Sequence, residues 1–334
     1  MNTQTPLISI VAPVYNEAKV IEAFYRQLCA VLDELDCRAE IIFVDDGSRD
    51  ASAEILAGLK ENDARIALIE LSRNFGKEIA LTAGLDHSQG DAVIVIDTDL
   101  QDPPALIPQL IDEWRKGYDV VYAQRLSRAG ESWFKKFTAH HFYRLIRRLA
   151  HIRIPADTGD FRLLSRRAVE ALGRLRERHR FMKGLFAWIG YPQTAVSYQR
   201  QARHAGQSKW NYWRLWNFAI EGITSFSTAP LRVATYFGLL VALAAFLYGS
   251  YIILDTLIHG NPVPGYPSLM VVILFLGGIQ LIGIGIIGEY LGRLYDEAKQ
   301  RPLYLVKAYL PAADSAARAA ATRSNTGVQA PTSD

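Results

Sequence analysis

The stretch Val93-Ile94-Val95-Ile96-Asp97-Thr98-Asp99 is an apolar, β-branched run that ends in two carboxylates. A run of this kind, without polar alternation, is typical of a strand that is buried on both faces of a parallel sheet. Side chains two residues apart in an extended chain point the same way, about 6–7 Å apart. Asp97 and Asp99 are therefore candidates to hold a divalent cation, or a cation and a sugar hydroxyl. The alternative is a polar strand end before a helix.

Similar apolar runs alternate with helical patterns through the first 125 residues. The predicted strands are Leu7–Ala12, Glu40–Asp45, Arg65–Leu71, Asp91–Asp97 and Asp119–Gln124. The predicted helices are Glu17–Leu35, Ala51–Lys60, Lys77–His87 and Pro104–Lys116. This alternation predicts an α/β fold with a doubly wound, mostly parallel sheet. Ligands of such sheets bind at the carboxyl ends of the strands.

Polar motifs follow the predicted strands at those ends. They are Pro13-Val-Tyr-Asn-Glu17, Asp45-Asp-Gly-Ser48, Asn74-Phe-Gly-Lys-Glu78 and Asp97-Thr-Asp99. An Asp or Ser of the second motif can bond a base or ribose, although such turns also open ordinary helices. Lys77 can serve as counter-charge for a phosphate at a helix N-terminus. Gln101 adds an oxygen ligand beside Asp97 and Asp99, where Mg²⁺ or Mn²⁺ would bind a nucleotide diphosphate. The chain has neither G-x-G-x-x-G nor G-x-x-x-x-G-K-[ST], which disfavours dinucleotide oxidoreductases and P-loop NTPases.

Two later motifs also combine charge with turn residues. Asp157-Thr-Gly-Asp160-Phe-Arg162 carries two carboxylates in a turn, and a purely structural pairing of Asp160 with Arg162 is the alternative. Arg200-Gln-Ala-Arg203-His-Ala-Gly206-Gln-Ser208-Lys209 is a basic loop. Arginine forks bind phosphate bidentately, whereas basic loops near membranes also contact anionic headgroups.

Two long uncharged stretches, about Val233–Leu254 and Val263–Gly288, follow the α/β part. Each exceeds the roughly 20 residues that a helix needs to cross a bilayer core, and a short turn-rich link joins them. They predict a transmembrane helical hairpin; two buried core helices are the alternative. Arginine and lysine flank the pair but are absent from the link, which places both termini in the cytoplasm. Residues 131–150 and 210–226 are amphipathic and predict membrane-interface helices, or else ordinary surface helices.

These features divide the 334 residues into four parts. They are a cytoplasmic domain (1–209), an interface helix with its linker (210–230), the transmembrane hairpin (231–292) and a cytoplasmic tail (293–334) that is disordered from about residue 311. Met1–Pro6 is polar, so no signal peptide is expected. Cys29 and Cys37 have no metal-binding or redox spacing.

The motifs in their order, together with the hairpin, resemble the inverting family 2 polyprenyl-phosphate glycosyltransferases with a GT-A fold. The resemblance spans about residues 7–300 and is closest to the bactoprenol glucosyltransferase group, with dolichol-phosphate mannose synthases as more distant relatives. It implies metal-dependent transfer of a sugar from a nucleotide-sugar, above all UDP-glucose or a related UDP-sugar, to undecaprenyl phosphate. The reaction would take place at the cytoplasmic face of the inner membrane, without nucleic acid.

The motifs and the resemblance together assign roles to individual residues. The nucleotide-sugar is assigned to Pro13, Tyr15, Glu17, Asp46, Lys77 and Asp97. The metal, Mg²⁺ or Mn²⁺, is assigned to Asp97, Asp99 and Gln101. The acceptor phosphate is assigned to Arg125, Lys136, Arg200, Arg203 and Lys209. Asp157, Asp99 and Arg203 are expected to be catalytic, with Asp157 orienting the acceptor or acting as base. The chain departs from the family pattern at Thr98, where alanine is usual, and at Lys136, where arginine is frequent.

The motifs are also compatible with other functions. A processive polysaccharide synthase would need more membrane helices and usually a Q-x-x-R-W motif, and neither is present. A tethered family 2 enzyme with a non-polyprenyl acceptor, or a non-catalytic membrane scaffold, would show similar motifs. Glucose, N-acetylglucosamine, 4-amino-arabinose and mannose donors all suit them. Gly288 and Gly292 form a small-x-x-x-small pair that can pack hairpins into a homo-oligomer.

Overall fold

A computed structural model describes residues 5–125, 158–198, 228–259 and 265–313. Within these ranges the chain forms two compact units. One is an α/β domain built on an eight-stranded sheet, and the other contains two long apolar helices.

The strands and helices of the first 125 residues confirm the predicted alternation. The strands are β1 Leu7–Val14, β2 Arg38–Asp45, β3 Ile66–Leu71, β4 Ala92–Val95, β5 Val120–Arg125, β6 Thr158–Ser165, β7 Gln193–Tyr198 and β8 Val306–Leu310. The helices are α1 Ile21–Leu32, α2 Ser52–Asn62, α3 Lys77–His87, α4 Ile107–Arg115 (after a 3₁₀ turn, Pro104–Leu106), α5 Arg166–Arg174, α6 Met182–Trp188, α7 Ala229–His259 and α8 Tyr266–Ala298. The first helix begins four residues later than predicted, because residues 17–20 form the turn that enters it.

The sheet has the strand order β7-β5-β6-β4-β1-β2-β3-β8. Strands β1 to β4 run parallel, as do β5 and β7, whereas β6 runs antiparallel to β4 and β5. The predicted mostly parallel α/β sheet is therefore confirmed. Because β6 is antiparallel, it begins at the edge where β4 ends, with Arg162 opposite Val95. Residues 158–160 thus lie beside the carboxylates that follow β4.

The centre of the sheet is packed with the β-branched residues that made these strands recognisable. Ile10, Ile41 and Ile94 on three neighbouring strands are fully buried. Helix α3 lies against β1 and β2 at Gly84, where a Cβ atom would stand 2.3 Å from Val11 Cγ1. Only a glycine permits this close approach of helix and sheet.

A last strand, β8, was not predicted from the sequence. It pairs antiparallel with β3, and Lys307 Nζ lies 2.9 Å from Glu70 Oε2. Ala312 is fully buried, and the Ala313 N–H donates to Ala64 O at 2.9 Å. The described residues end at 313, so the disorder expected from about residue 311 stays a prediction. Strand β8 has five residues, of which four are exposed, so it carries little periodic signal of its own, and the β3 edge supplies the partner.

The two apolar helices, α7 and α8, match the predicted hairpin. The segments Pro230–Tyr251 and Phe275–Ala298 are long and apolar enough to cross a membrane, and neither is buried inside the protein. The alternative of two buried core helices is thereby disfavoured. The predicted interface helices at 131–150 and 210–226, and residues 314–334 of the tail, lie outside the described residues.

Candidate active site

The loops after β1 and β2 are tied together at the carboxyl edge of the sheet. Asn16, in a left-handed conformation (φ 55°), donates its N–H to Ser48 Oγ at 3.0 Å and accepts the Arg49 N–H at 2.8 Å. The Glu17 N–H donates to Ser52 Oγ at 2.9 Å. The Tyr15 side chain is left 42% exposed above them. Two predicted nucleotide motifs therefore form one surface.

Asp46 fixes the loop that leads into α3. Its two carboxylate oxygens accept the N–H groups of Phe75 at 2.7 Å and Gly76 at 2.9 Å. Burial raises the pKa of Asp46, and these two hydrogen bonds act against that rise. The carboxylate is thus engaged with backbone and is only 2% exposed. Its predicted contact with a nucleotide stays a prediction, and the structure adds a role in shaping the loop.

Lys77 joins two carboxylates from different strands. Its Nζ lies 2.7 Å from the Asp97 carboxylate and 2.5 Å from Asp160 Oδ2. Lys77 was predicted to face a phosphate. In the structure its ammonium group lies at the acidic edge of the sheet, where a cation bound to that phosphate is expected. Burial opposes ionisation of Asp160, but Lys77 and Lys183 outweigh it and hold the pKa of Asp160 below its usual range.

Helix α6 supplies further positive charge to this edge. Lys183 donates to Thr158 O at 3.1 Å. The buried Arg162 guanidinium donates to Gly159 O at 2.8 Å and stacks on Phe186 at 3.9 Å. The segment from Thr158 to Arg162, predicted as a turn, is the first part of strand β6. Within it Arg162 donates to the backbone oxygens of Gly159 and Asp160, whereas the Asp160 carboxylate pairs with Lys77. Beside them, burial raises the pKa of Glu78 to about 7.

The Asp97–Asp102 loop adopts a constrained conformation. Leu100 has φ 59°, a left-handed conformation that is costly for a branched side chain. Asp99 Oδ1 accepts the Gln101 N–H at 3.1 Å. Gln101 is only 6% exposed. Among the residues that the structure describes, no three His, Cys, Asp or Glu side chains form a metal-binding group.

Arg125 ends β5 inside a hydrogen-bonded cluster that was not predicted. Its Nε donates to the Tyr198 hydroxyl at 3.1 Å, and its Nη2 lies 3.7 Å from Asp102 Oδ1. The Tyr198 hydroxyl in turn donates to Asp102. We call Asp102, Arg125 and Tyr198 the Tyr198 cluster. The sequence predicted neither a strand nor a site residue at Tyr198, so its polar role had no local signal.

Several predicted site residues lie outside the described ranges and stay predictions. They are Lys136, Asp157, Arg200, Arg203 and Lys209. The structure brings together Tyr15, Asp46, Lys77, Asp97 and Asp99 at one edge of the sheet, on the loops that follow β1 to β4.

Comparison with known proteins covers both parts of the chain. The glycosyl transferase family 2 model matches residues 9–173, and the GtrB C-terminal hairpin model matches residues 229–294. An uncharacterized glycosyltransferase, sll0501 of Synechocystis sp. (strain ATCC 27184 / PCC 6803 / Kazusa), is 57% identical over 90% of this chain and 94% of that protein. A bactoprenol glucosyl transferase of Shigella phage SfV is 52% identical over 90% of this chain and 98% of that protein. Among solved structures, the Pyrobaculum calidifontis mannosyltransferase PcManGT in complex with GDP-Man and Mn²⁺ is 18% identical, covers 96% of this chain and 81% of that chain, and has a TM-score of 0.45.

Proposed function

This chain belongs to glycosyl transferase family 2, and on that basis we propose that it transfers a sugar from a nucleotide-sugar to a polyprenyl phosphate. UDP-glucose and undecaprenyl phosphate are the proposed substrates. The observation that carries the proposal is the 52% identity to bactoprenol glucosyl transferases, which extends over 90% of the chain. That range includes the matched hairpin as well as the sheet domain. A lipid acceptor would explain why the chain carries two apolar helices beside the sheet domain.

A divalent cation, Mg²⁺ or Mn²⁺, fits the acidic edge of the sheet. Asp97 and Asp99 supply hard oxygen donors directly after β4, and Gln101 is the proposed third group. Beside them, Glu78 Oε2 and Asp160 Oδ1 are buried without a hydrogen-bond partner among the described residues, so this edge keeps unused oxygen acceptors. When bound, the cation would neutralise charge on the diphosphate leaving group.

The chain's own residues have two further tasks in the proposed reaction. Pro13, Tyr15 and Glu17 are proposed to hold the nucleotide on the surface formed by the first two loops. The acceptor phosphate is proposed to contact Arg125, Lys136, Arg200, Arg203 and Lys209. These cations hold two anions close together against their repulsion, which lowers the barrier by positioning.

In the transfer step, an oxygen of the acceptor phosphate forms a bond to the anomeric carbon. The bond from that carbon to the diphosphate oxygen breaks on the opposite side, and its electron pair leaves with the nucleoside diphosphate. A phosphate monoester has a second pKa near 6, so most acceptor is already dianionic at neutral pH. Asp157 therefore needs only to orient the acceptor or assist as base.

The proposed location is the inner membrane, with the sheet domain and both termini in the cytoplasm. Two candidate spans and the matched hairpin support membrane association. Arg232 at the start of the first span and Arg293 and Lys299 near the end of the second support the orientation. Packing of copies through Gly288 and Gly292 would give a homo-oligomer.

The test is reconstitution of purified protein with undecaprenyl phosphate, Mn²⁺ and a panel of nucleotide-sugars that includes UDP-glucose. We expect a glycosylated lipid phosphate, read by mass, with UDP-glucose as donor. Asp99→Asn should lower the rate by about 10²–10³-fold, the usual effect of removing one electrostatic stabiliser. Asp112→Asn, on the exposed face of α4, is the matched control. A parental protein that makes no glycolipid from any of these donors would contradict the proposal.

A further inference from the structure

The Tyr198 cluster lies where several parts of the proposed site meet. Asp102 closes the Asp97–Asp102 loop, which carries the proposed cation ligands. Arg125 and Tyr198 end two parallel strands directly opposite each other. In the sequence, Tyr198 precedes Arg200 by two residues. Donor and acceptor segments therefore converge on one phenol oxygen.

A third segment packs against the same cluster. A Cβ atom on Gly159 would stand 3.2 Å from Arg125 Nη2 and 3.4 Å from Asp102 Oδ2. The cluster thus lies beside Gly159, at the start of β6. Glycine at this position leaves space for the Arg125 guanidinium beside the Asp102 carboxylate.

The burial and the hydrogen bonds of Tyr198 make its hydroxyl group hard to replace. Tyr198 is 5% exposed and Asp102 is 2% exposed, so water has little access to their hydrogen bond. The hydroxyl donates a hydrogen bond to Asp102 and accepts one from Arg125 Nε. A phenylalanine would keep the packing of the ring but leave a buried carboxylate without its donor. Buried charged groups that lose a hydrogen-bond partner rearrange or destabilise their surroundings.

We propose that Tyr198 is a positioning residue that fixes Arg125 against the Asp97–Asp102 loop. Through this link Arg125, which is proposed to bind the acceptor phosphate, keeps a constant distance from the Asp97–Asp102 loop on the donor side of the site. Tyr198 itself touches no reacting atom and acts through Arg125 and Asp102. The inference rests on the proposed function, because it assigns Arg125 to the acceptor and the loop to the donor.

The experiment compares Tyr198→Phe with Tyr25→Phe in the full-length protein. Tyr25 is a matched control, since its hydroxyl donates to Asp63 Oδ2 at 2.8 Å between α1 and the end of α2, in a pairing outside the proposed site. We expect Y198F to lower kcat for transfer to undecaprenyl phosphate by about 100-fold, the order caused by a misplacement of about 1 Å. Binding of UDP and the slow hydrolysis of UDP-glucose by water should stay at the parental level. Y25F should match the parent in transfer, hydrolysis and UDP binding.

Two results would overturn the inference. One is a Y198F protein that transfers sugar at the parental rate. The other is a parallel loss of transfer, hydrolysis and UDP binding together with a lower thermal midpoint, which would show a purely structural role. If the parental protein itself makes no glycolipid, the proposed function fails first, and the two failures are therefore distinguishable.

Asp102→Asn provides a second, independent variant. It keeps the side-chain volume but removes the negative charge, so the Tyr198 hydroxyl loses its charged acceptor and Arg125 loses its ion-pair partner. We expect the same selective loss of transfer, and in the double variant with Y198F a combined loss smaller than the product of the single losses. Independent, multiplicative losses would contradict the link between the two residues. If Y198F does not fold, D102N alone decides: selective loss of transfer supports the inference, and parental transfer overturns it.

Discussion

The ammonium group of Lys77, at the first residue of α3, lies 2.7 Å from the carboxylate of Asp97, just beyond the end of β4. The same ammonium reaches Asp160, 83 residues later in the chain. One cation therefore joins a helix start to two strands of opposite direction. This contact places the positive charge where the proposed reaction develops negative charge.

Replacement of Lys77 by methionine should destabilise the domain. Two carboxylates would lose the cation that they share, at a cost of about 1–3 kcal/mol for each partly buried group left unsatisfied. Because Lys77 holds the pKa of Asp160 down, its stabilising effect is fully present above the ordinary Asp pKa of about 3.9 and is lost as pH falls from there through the lowered pKa of the folded state. Thermal unfolding in detergent at pH 6 should therefore show a larger loss than unfolding near pH 2.

The control for that change is Lys116→Met, which removes an exposed pair with Glu113 (2.6 Å) on the helix before β5. Exposed pairs contribute about 0–1 kcal/mol, so little change is expected. A loss in K77M no larger than that in K116M would contradict a stabilising role of the Lys77 bridge.

Glu78 should make stability depend on pH in the neutral range. Burial raises its pKa to about 7, so the folded protein binds this proton more tightly than the unfolded chain. The resulting stabilisation is complete below the ordinary Glu pKa of about 4.3 and is lost as pH rises through about 7. Glu78→Gln should gain thermal stability relative to the parent between pH 5 and 7, and the difference should then level off. Glu54→Gln, in the exposed first turn of α2, should show no such trend. Parallel pH curves for E78Q and the parent would refute the assignment.

The two helix glycines Gly84 and Gly58 should respond in opposite ways to alanine. At Gly84 the new methyl would clash with Val11, and such overpacking costs about 1–3 kcal/mol. At Gly58 no atom lies within 4 Å of the new methyl, and alanine favours the helix by about 1 kcal/mol. Thermal midpoints of G84A and G58A against the parent measure both. A neutral G84A would show that α3 can move away from β1 at no cost.

A stop after Gln300 should damage the sheet domain, whereas a stop after Ala313 should not. The shorter chain loses β8 and leaves the N–H and C=O groups of β3 unpaired at an exposed edge, which favours aggregation. The longer chain keeps every β8 contact described above. Size-exclusion profiles and thermal midpoints in detergent distinguish them. Equal behaviour of the two chains would mean that β8 contributes nothing measurable.

Sequence patterns correctly predicted those strands and helices that can be recognised from the hydrophobic pattern of their own residues. The Ile/Val runs of β1 to β4 are buried on both faces, and their pattern alone marks them as strands. Strand β6 carried no prediction, although it decides which residues meet Asp97. Its antiparallel course depends on pairing with β4 and β5, and sequence spacing carries no record of that direction.

For the charged residues, too, the local pattern predicted the position of a side chain but not its long-range partner. The position of Asp97 at a strand end was predictable, but its partner Lys77 was predicted to face a phosphate. Asp46 was assigned to a ligand, and the structure shows it bound to backbone N–H groups. A short motif predicts that a side chain such as Asp46 accepts hydrogen bonds, but only the folded structure shows which groups donate them. Tyr198 had no such motif at all.

Strand β8 sets an order of events during synthesis. Its residues leave the ribosome after both apolar helices, so the sheet receives its last strand only when the hairpin has already been made. Until then the nascent domain presents an open β3 edge. Completion of the sheet is in this way postponed until both apolar helices have been synthesised.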